Sequence, residues 1–547
     1  MPFIRRTATT RLVAAVAGGL AVVAATVSPA AATAAATASP AATTATVPGT
    51  VPQLVRGATD LGPATTGRLT VTLALPLQDQ SGLRSLLAGL YDRSSPDYRR
   101  FLTPAAFADR FGPSAAAVQA VASWAEGAGL AVSSVSANRT LVQVTGSLAA
   151  VGRAFGVGFH RYAAGGRTYV SSTSAATVPA SLGLLSVTGL STLDRVGLSP
   201  LAAPTVSFPT SYDPQQFWSF YDAPAGQTGA GEAVAVIATG TVAQPKADLA
   251  TFEQRYDLPV VPWTTVPTGP ASTTTAGDDE WDLDTQYATG LAGEVSSLLV
   301  YDGSSLTDAT ILTEIARWVT DDQAGQANFS AGECELLADA SGFLPANDQT
   351  LEQAVAQGQT LFGASGDTGA SCPVLVAENG VPVGLPDVTY PAASPYAVGV
   401  GGTTILGAPS PLREVGWYAG GGGPAVLEPE PSDQAAVGGS NLGLSRGVPD
   451  VAFDADPDSG FDVVVNGQTE VVGGTSGSSP AWMGIWARAQ AAHGGTLGFA
   501  GDTIYAEPAA SFNDVTVGSN IPYPCTPGYD YVTGRGTPDI AAFVGAA

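Results

Sequence analysis

The spacing of apolar and polar positions changes character several times along this chain. Residues 12–27 form an apolar run behind Arg5, Arg6 and Arg11, with small residues at Ala30, Ala31 and Ala32. This pattern predicts a secretory signal over residues 1–32. The run is too short and glycine-broken to read as a membrane span, and no later segment qualifies. Residues 33–55, rich in Ala, Thr and Pro, read as a flexible linker. A compact segment follows over 56–190. Residues 70–75 alternate as a strand and 81–91 have helical spacing. Thr103-Pro104 opens one helix and Ser114 caps another, which stops near Gly127 and Gly129. A strand at 141–145, a helix at 148–155 and a strand at 157–162 complete a small antiparallel α+β module.

Residues 191–215 are rich in Ser, Pro and Thr and read as a second linker. Beyond it the pattern becomes strand and helix in alternation. Strands are expected at 233–238, 297–301 and 360–364. Helices are expected at 245–256, around Glu280, at 308–319 and at 351–357. Such alternation implies a parallel α/β sheet, whose ligand sites lie at the carboxyl ends of the strands. Asp367, just after the last of these strands, would occupy such an end. A chain of 547 residues exceeds one ordinary core, so at least two domains are expected, with the second running over 216–547.

The net charge of −25 is unevenly divided. Residues 1–200 carry 15 Arg against 7 Asp and Glu, a balance of +8, and residues 201–547 carry 6 Arg and Lys246 against 40 acids, a balance of −33. So acidic a body would repel nucleic acid and anionic membranes. Its self-repulsion falls as carboxylates protonate, which suits an acidic working environment. Three cysteines permit one bridge and leave one thiol over. Cys334 and Cys372 are the favoured pair, with Cys525 the remainder.

The candidate nucleophile is Ser476, in Gly473-Gly474-Thr475-Ser476-Gly477-Ser478-Ser479-Pro480. A serine hydroxyl needs a positioned base, and the whole chain has two histidines. His160 lies far upstream, and His493 follows the serine by 17 residues across a presumed helix. A carboxylate base is the better fit, and Asp278-Asp279-Glu280-Trp281-Asp282-Leu283-Asp284 supplies candidates. Glu280 and Asp284 share one helical face about 5–6 Å apart, while Asp282 points elsewhere. Two carboxyls so close resist joint ionisation, which raises the apparent pKa of one. Taken alone, each of these segments also reads as ordinary: a solvated acidic first turn, an Asp-Gly turn and a small-residue loop.

Their combination resembles the sedolisins, the serine-carboxyl peptidases. The resemblance rests on residues 280–287 (Glu-Trp-Asp-Leu-Asp-Thr-Gln-Tyr), 364–369 (Ala-Ser-Gly-Asp-Thr-Gly) and 473–476 (Gly-Gly-Thr-Ser). Residues 329–335, 390–396 and 400–403 add to it. Upstream, Ser95-Pro96-Asp97-Tyr98, Phe101-Leu102-Thr103, residues 110–114 and Ala154-Phe155-Gly156 resemble the family's activation domain, of the pro-kumamolisin type. The resemblance implies a subtilisin-like parallel sheet flanked by helices, preceded by the small α+β prodomain. It implies a secreted, acid-active endopeptidase made as an autoprocessed zymogen, with its maturation site in the 191–215 linker. Its partners would be protein and peptide substrates and its own prodomain.

Residue by residue, Ser476 would be the nucleophile, Glu280 its base, Asp284 the partner that orients Glu280, and Asp367 the oxyanion donor. The C-terminal Phe512-Asn513-Asp514-Val515 and Thr526-Pro527-Gly528-Tyr529-Asp530 resemble the family's calcium loop. That implies one structural Ca2+ at Asp514, Val515, Thr526, Gly528 and Asp530, although the family pattern commonly has glycine where Thr526 stands. Three rival readings remain: a Ser-His-Asp hydrolase using His493, a tripeptidyl exopeptidase of the same family, and an inactive secreted binding protein on the same scaffold. A zinc peptidase lacks any His-Glu-x-x-His cluster.

Overall fold

The computed structural model describes residues 43–50, 58–164, 166–198, 205–207, 209–376, 382–407, 412–438, 443–495 and 497–547. The expected export signal, residues 1–32, lies outside them. Among the described residues no helix is long and apolar enough to cross a membrane.

The N-terminal module is built on an antiparallel sheet in the order Ala131–Val135, Leu141–Ser147, Arg68–Ala74, Ser186–Thr188. Alternate positions on its central strands, Val71 and Leu73 on one and Val142 and Val144 on the other, are fully buried. Thr72 and Ala74, which alternate with them, are also buried, so the other face of that strand is covered as well. Helices Ala115–Gly127 and Leu148–Phe155 contribute Val121, Ala125, Val151 and Phe155 to the same core. Ser114 and Ser147 start these helices by accepting from the amides of Ala117 and Ala150, the local signal expected of a serine N-cap. The expected 148–155 helix has the predicted ends. A second sheet joins Thr59–Pro63, Phe159–Ala164 and Arg167–Ser172.

The C-terminal body carries the expected parallel sheet. Its order is Trp263–Pro267, Val295–Gly303, Gly229–Thr239, Gln326–Phe329, Thr360–Ala364, Ala397–Ile405. All of these neighbours run parallel. Against Ala397–Ile405 lie Val451–Asp454, parallel, and Glu414–Gly416, antiparallel. Two helices matter most for the site, Asp278–Ala292 and Thr475–Ala492. They cross closely because Gly484 has no side chain: a Cβ there would lie 2.6 Å from the Ala288 carbonyl oxygen. Trp281, Trp482 and Trp486 fill the core around them.

The module seats on the helix Phe343–Gln357 of the body through neutral hydrogen bonds. Gln349 accepts from the Leu77 amide (2.8 Å) and donates to the Leu75 carbonyl (3.0 Å). Asn138 donates to Gln353 (2.7 Å) and the Tyr91 hydroxyl to the Val355 carbonyl (2.8 Å). Helices Gln80–Tyr91 and Pro104–Phe111 share an apolar cluster with Ala356 of the body. Among the described residues no ion pair crosses this contact.

Both expected linkers hold structure where they are described. In the first, Thr44–Thr46 pairs antiparallel with Thr177–Pro179. In the second, Arg195 bridges Thr307, Gly197–Leu198 pairs antiparallel with Ala331–Gly332, Val196 is fully buried, and Asp213 with Gln216 forms a capping box on the helix Pro214–Phe220. Their small polar composition reads as flexible, but strand addition uses the backbone, which every sequence offers. Cys334 and Cys372 form the disulfide, with Cα atoms 5.5 Å apart, and Cys525 is a buried free thiol.

Candidate active site

Ser476 is the second residue of the helix Thr475–Ala492 and is fully buried. Four residues on, Pro480 lacks the amide that would bond the Ser476 carbonyl within the helix, and the Ser330 hydroxyl lies 3.3 Å from that oxygen instead. Glu280 and Asp284, both buried, lie on one face of the helix Asp278–Ala292, as the i,i+4 spacing requires.

Burial, and then the adjacent Asp284 charge, push the Glu280 pKa well above the carboxylate range, while the nearby Ser476 hydroxyl, which lies 3.5 Å from the Ser330 carbonyl oxygen, pulls it back. Burial raises Asp284 to about 8, against the opposing pull of hydrogen bonds from Ser330 and Asn328. The pair therefore holds a proton under conditions where exposed carboxyls have lost theirs. Asp282 is also buried, but on the other side: its pKa, raised to about 9 by burial and then by Asp248, answers to a different group of acids.

Asp367 follows the strand Thr360–Ala364, at the carboxyl end of the sheet as expected. Its Oδ1 accepts from the Thr475 amide (2.9 Å) and hydroxyl (2.8 Å), so it sits at the start of the serine helix. Its Oδ2 has no hydrogen-bond partner among the described residues. Gly474, at φ 131°, makes room for it, since a Cβ there would stand 2.6 Å from that oxygen. Burial raises Asp367 to about 6, against the two bonds from Thr475.

A hydrogen-bond relay not read from the sequence fixes Asp284. The Ser479 hydroxyl donates to Asn328 (2.6 Å), Asn328 donates to Ser330 (3.0 Å), and Ser330 donates to Asp284 (2.5 Å). Ser330 lies in the 329–335 block, but only the packing of three elements reveals its partner. A polar Asn-x-Ser at the end of an apolar strand was the available signal.

The histidines stand apart from this group. His493 caps the far end of the serine helix, about 25 Å away at 1.5 Å per residue, and its Nε2 lies 2.9 Å from the Val544 carbonyl. His160 pairs with Asp60 in the N-terminal module at 2.8 Å. Neither can act as base for Ser476.

The C-terminal loop brings Asp514 and Asp530 to one turn. Asp514 accepts from the Gly528 amide (3.0 Å), and Asp530 from the amides of Thr526 (2.8 Å), Val532 (2.9 Å) and Thr533 (2.9 Å). Asp530 Oδ1 takes the bonds from Val532 and Thr533, so the capacity left for a hard cation lies on Asp530 Oδ2 and on Asp514. Two carboxylates with the carbonyls of Val515, Thr526 and Gly528 form an oxygen donor set that fits calcium.

A family profile described as "Pro-kumamolisin, activation domain" matches residues 56–193. Sedolisin of Pseudomonas sp. (strain 101) is 34% identical, with 86% of each chain aligned. Kumamolisin of Bacillus sp. (strain MN-32) is 32% identical over 88% of this chain and 92% of its own. Xanthomonalisin of Xanthomonas sp. (strain T-22) is 34% identical over 86% of this chain, which spans 64% of that longer protein. The solved structure of Pseudomonas sedolisin, a serine-carboxyl proteinase complexed with two molecules of pseudo-iodotyrostatin, superposes with a TM-score of 0.57 at 33% identity, covering 62% of this chain and 98% of that one. A serine at a helix start, served by buried carboxyls and by no histidine, is thus found in a chain that belongs to the sedolisin family of serine-carboxyl peptidases.

Proposed function

We propose that this protein is an exported endopeptidase, active in acid and released from an autoprocessed precursor. The observation that carries this reading is the buried Glu280–Asp284 pair beside Ser476, far from either histidine. Ser476 attacks the scissile carbonyl while Glu280 takes its proton and later passes it to the leaving amine. Asp284, held by Ser330, orients Glu280 and shares its proton. Asp367, protonated below about pH 6, offers its Oδ2 side as a donor to the developing oxyanion, next to the Ser476 amide. This donor is lost as pH rises through its pKa, so turnover falls toward neutrality.

The seating of residues 195–198 supports the zymogen reading. Gly197 and Leu198 lie opposite Gly332 and Ala331 as an extended substrate would, and the next residue of that strand edge, Ser330, touches both Asp284 and Ser476. The cut falls within 191–208. Long-range charge also favours latency at neutral pH, since Arg93 and Arg99 of the module bear on Asp502 of the body, whose pKa burial raises to about 7. Acid discharges Asp502 and weakens that attraction. Digestion of an unfolded protein at pH 3–5 should yield internal fragments, and precursor should shrink by roughly 20 kDa at pH 4 but not at pH 7. Release of tripeptides alone would favour a tripeptidyl exopeptidase; no cleavage would leave a binding protein.

Asp514, Asp530 and the carbonyls of Val515, Thr526 and Gly528 would hold one structural calcium ion. Bound ion would tie the C-terminal loops together by linkage. Chelation or Asp530→Ala should lower the melting temperature. Identical melting curves with and without chelator would remove calcium from the scheme.

A further inference from the structure

A second group of carboxyls lies where the prosegment enters the cleft. Asp194 precedes the 195–198 segment, Asp308 opens the helix Asp308–Asp321, and Glu333 follows Gly332 on the strand that the segment pairs with. The Asp308 amide approaches the Asp194 carbonyl at 3.3 Å, which brings the two backbones together. Asp308 is 1% exposed and Glu333 8%. Both Asp308 oxygens, Glu333 Oε1 and Asp194 Oδ1 are buried without a partner in hydrogen-bond geometry. The Ser341 hydroxyl and the Glu333 carboxyl stand close enough to Asp308 to oppose the effect of its burial, and Ser191 does the same for Asp194. Among the described residues Arg195 is the cation that bears on Asp308. Three acids thus meet one base, with Asp308 and Glu333 closed to water and Asp194 and Arg195 partly exposed.

We propose that Asp308 and Glu333 form a carboxyl-accepting subsite that seats Asp194 only when the three acids share protons, so that acid presents the prosegment to Ser476 as a substrate. With all three ionised, the charges face one another at low dielectric and the segment is repelled. With protons shared, each neutral carboxyl becomes a further donor for its neighbours. Burial and mutual repulsion raise Asp194 and Glu333 well above the usual range, and burial raises Asp308 to about 7. Falling pH therefore favours the state in which protons are shared. The sign is opposite to that of Asp502: acid tightens the prosegment in the cleft while it loosens the module elsewhere. Seating precedes the cut, and release follows it.

This inference rests on the peptidase reading, and Asp194→Asn separates the two. The amide carries donors at every pH and no charge, and residue 194 is absent from the mature enzyme if the cut falls beyond it. Asp194→Asn precursor should process at pH values about one unit or more higher than wild type, while the matured enzymes have the same activity profile. In Ser476→Ala precursors, which stay whole, hydrogen exchange of the 195–198 amides, corrected for intrinsic rate, should be slower at pH 5 than at pH 7.5. With Asp194→Asn added it should be slow at both. Cleavage with coincident processing profiles, or exchange unaffected by pH, would overturn the gate alone. Absence of cleavage by either precursor at every pH would overturn the peptidase reading and the gate with it.

Discussion

Ser476→Ala precursor should remain uncut at pH 4, and the purified variant should digest no peptide. Ser476 carries the hydroxyl that bears on Glu280 at the start of its helix, so its removal takes away the group that would form the acyl intermediate. Glu280→Gln should come close to the same loss, because the amide keeps the shape of the site but cannot take a proton. Asp367→Asn keeps a donor yet alters the bonds from Thr475 that set its position. A fall of about 10² or more is expected from a displaced oxyanion donor. His493→Ala should retain turnover, since that ring sits at the opposite end of an 18-residue helix. Full activity of Glu280→Gln, or an inactive His493→Ala that still folds, would refute the carboxylate scheme.

The protein should melt at a higher temperature near pH 4.5 than near pH 7.5. Asp282, Asp284 and Asp308 have folded-state pKa values raised by burial to about 9, 8 and 7, against about 3.9 for an exposed aspartate. Glu314 and Asp454 are shifted in the same direction by the same cause. Between the unfolded and folded pKa values the native state binds more protons than the unfolded chain. Stability must then fall as pH rises through that window, from about 4 to 9. The direction is contrary to that of most proteins, whose paired carboxylates lose stability in acid. Calcium at the proposed site would work against the trend, so the comparison should be made with chelator present. A melting temperature that rises from pH 4.5 to 7.5 under those conditions would contradict the assigned shifts.

Periodicity alone outlined the antiparallel and the parallel sheets, because strands buried on two faces and capped amphipathic helices leave strong local signals. Ser147 before Leu148 and Gly156 after Phe155 marked a helix by cap chemistry that needs no tertiary context. The Glu280–Asp284 pair was legible for the same reason, as helical spacing translates directly into geometry. The Asn328–Ser330–Ser479 relay was not, since its members come from separate elements and meet only when the sheet and the serine helix pack. The two segments read as linkers hold structure that composition does not report. Composition reports what side chains can bury, whereas residues 44–46 and 197–198 are held by backbone pairing with neighbouring strands.

The Cys334–Cys372 bridge joins two parts of the machinery that the chain itself connects only through 38 residues. One end closes the strand on which residues 197 and 198 lie, and the other follows the Asp367 turn by five residues. Closing a loop of that length contributes about 4 kcal/mol by restricting the unfolded chain. On the proposed mechanism, catalytic alignment is thereby coupled to redox history. A chain kept as the dithiol, as in a reducing cytosol, would lack the fastening between that strand and the Asp367 turn. In the exported peptidase proposed above, oxidation would then act as a second safeguard, ahead of any change in acidity.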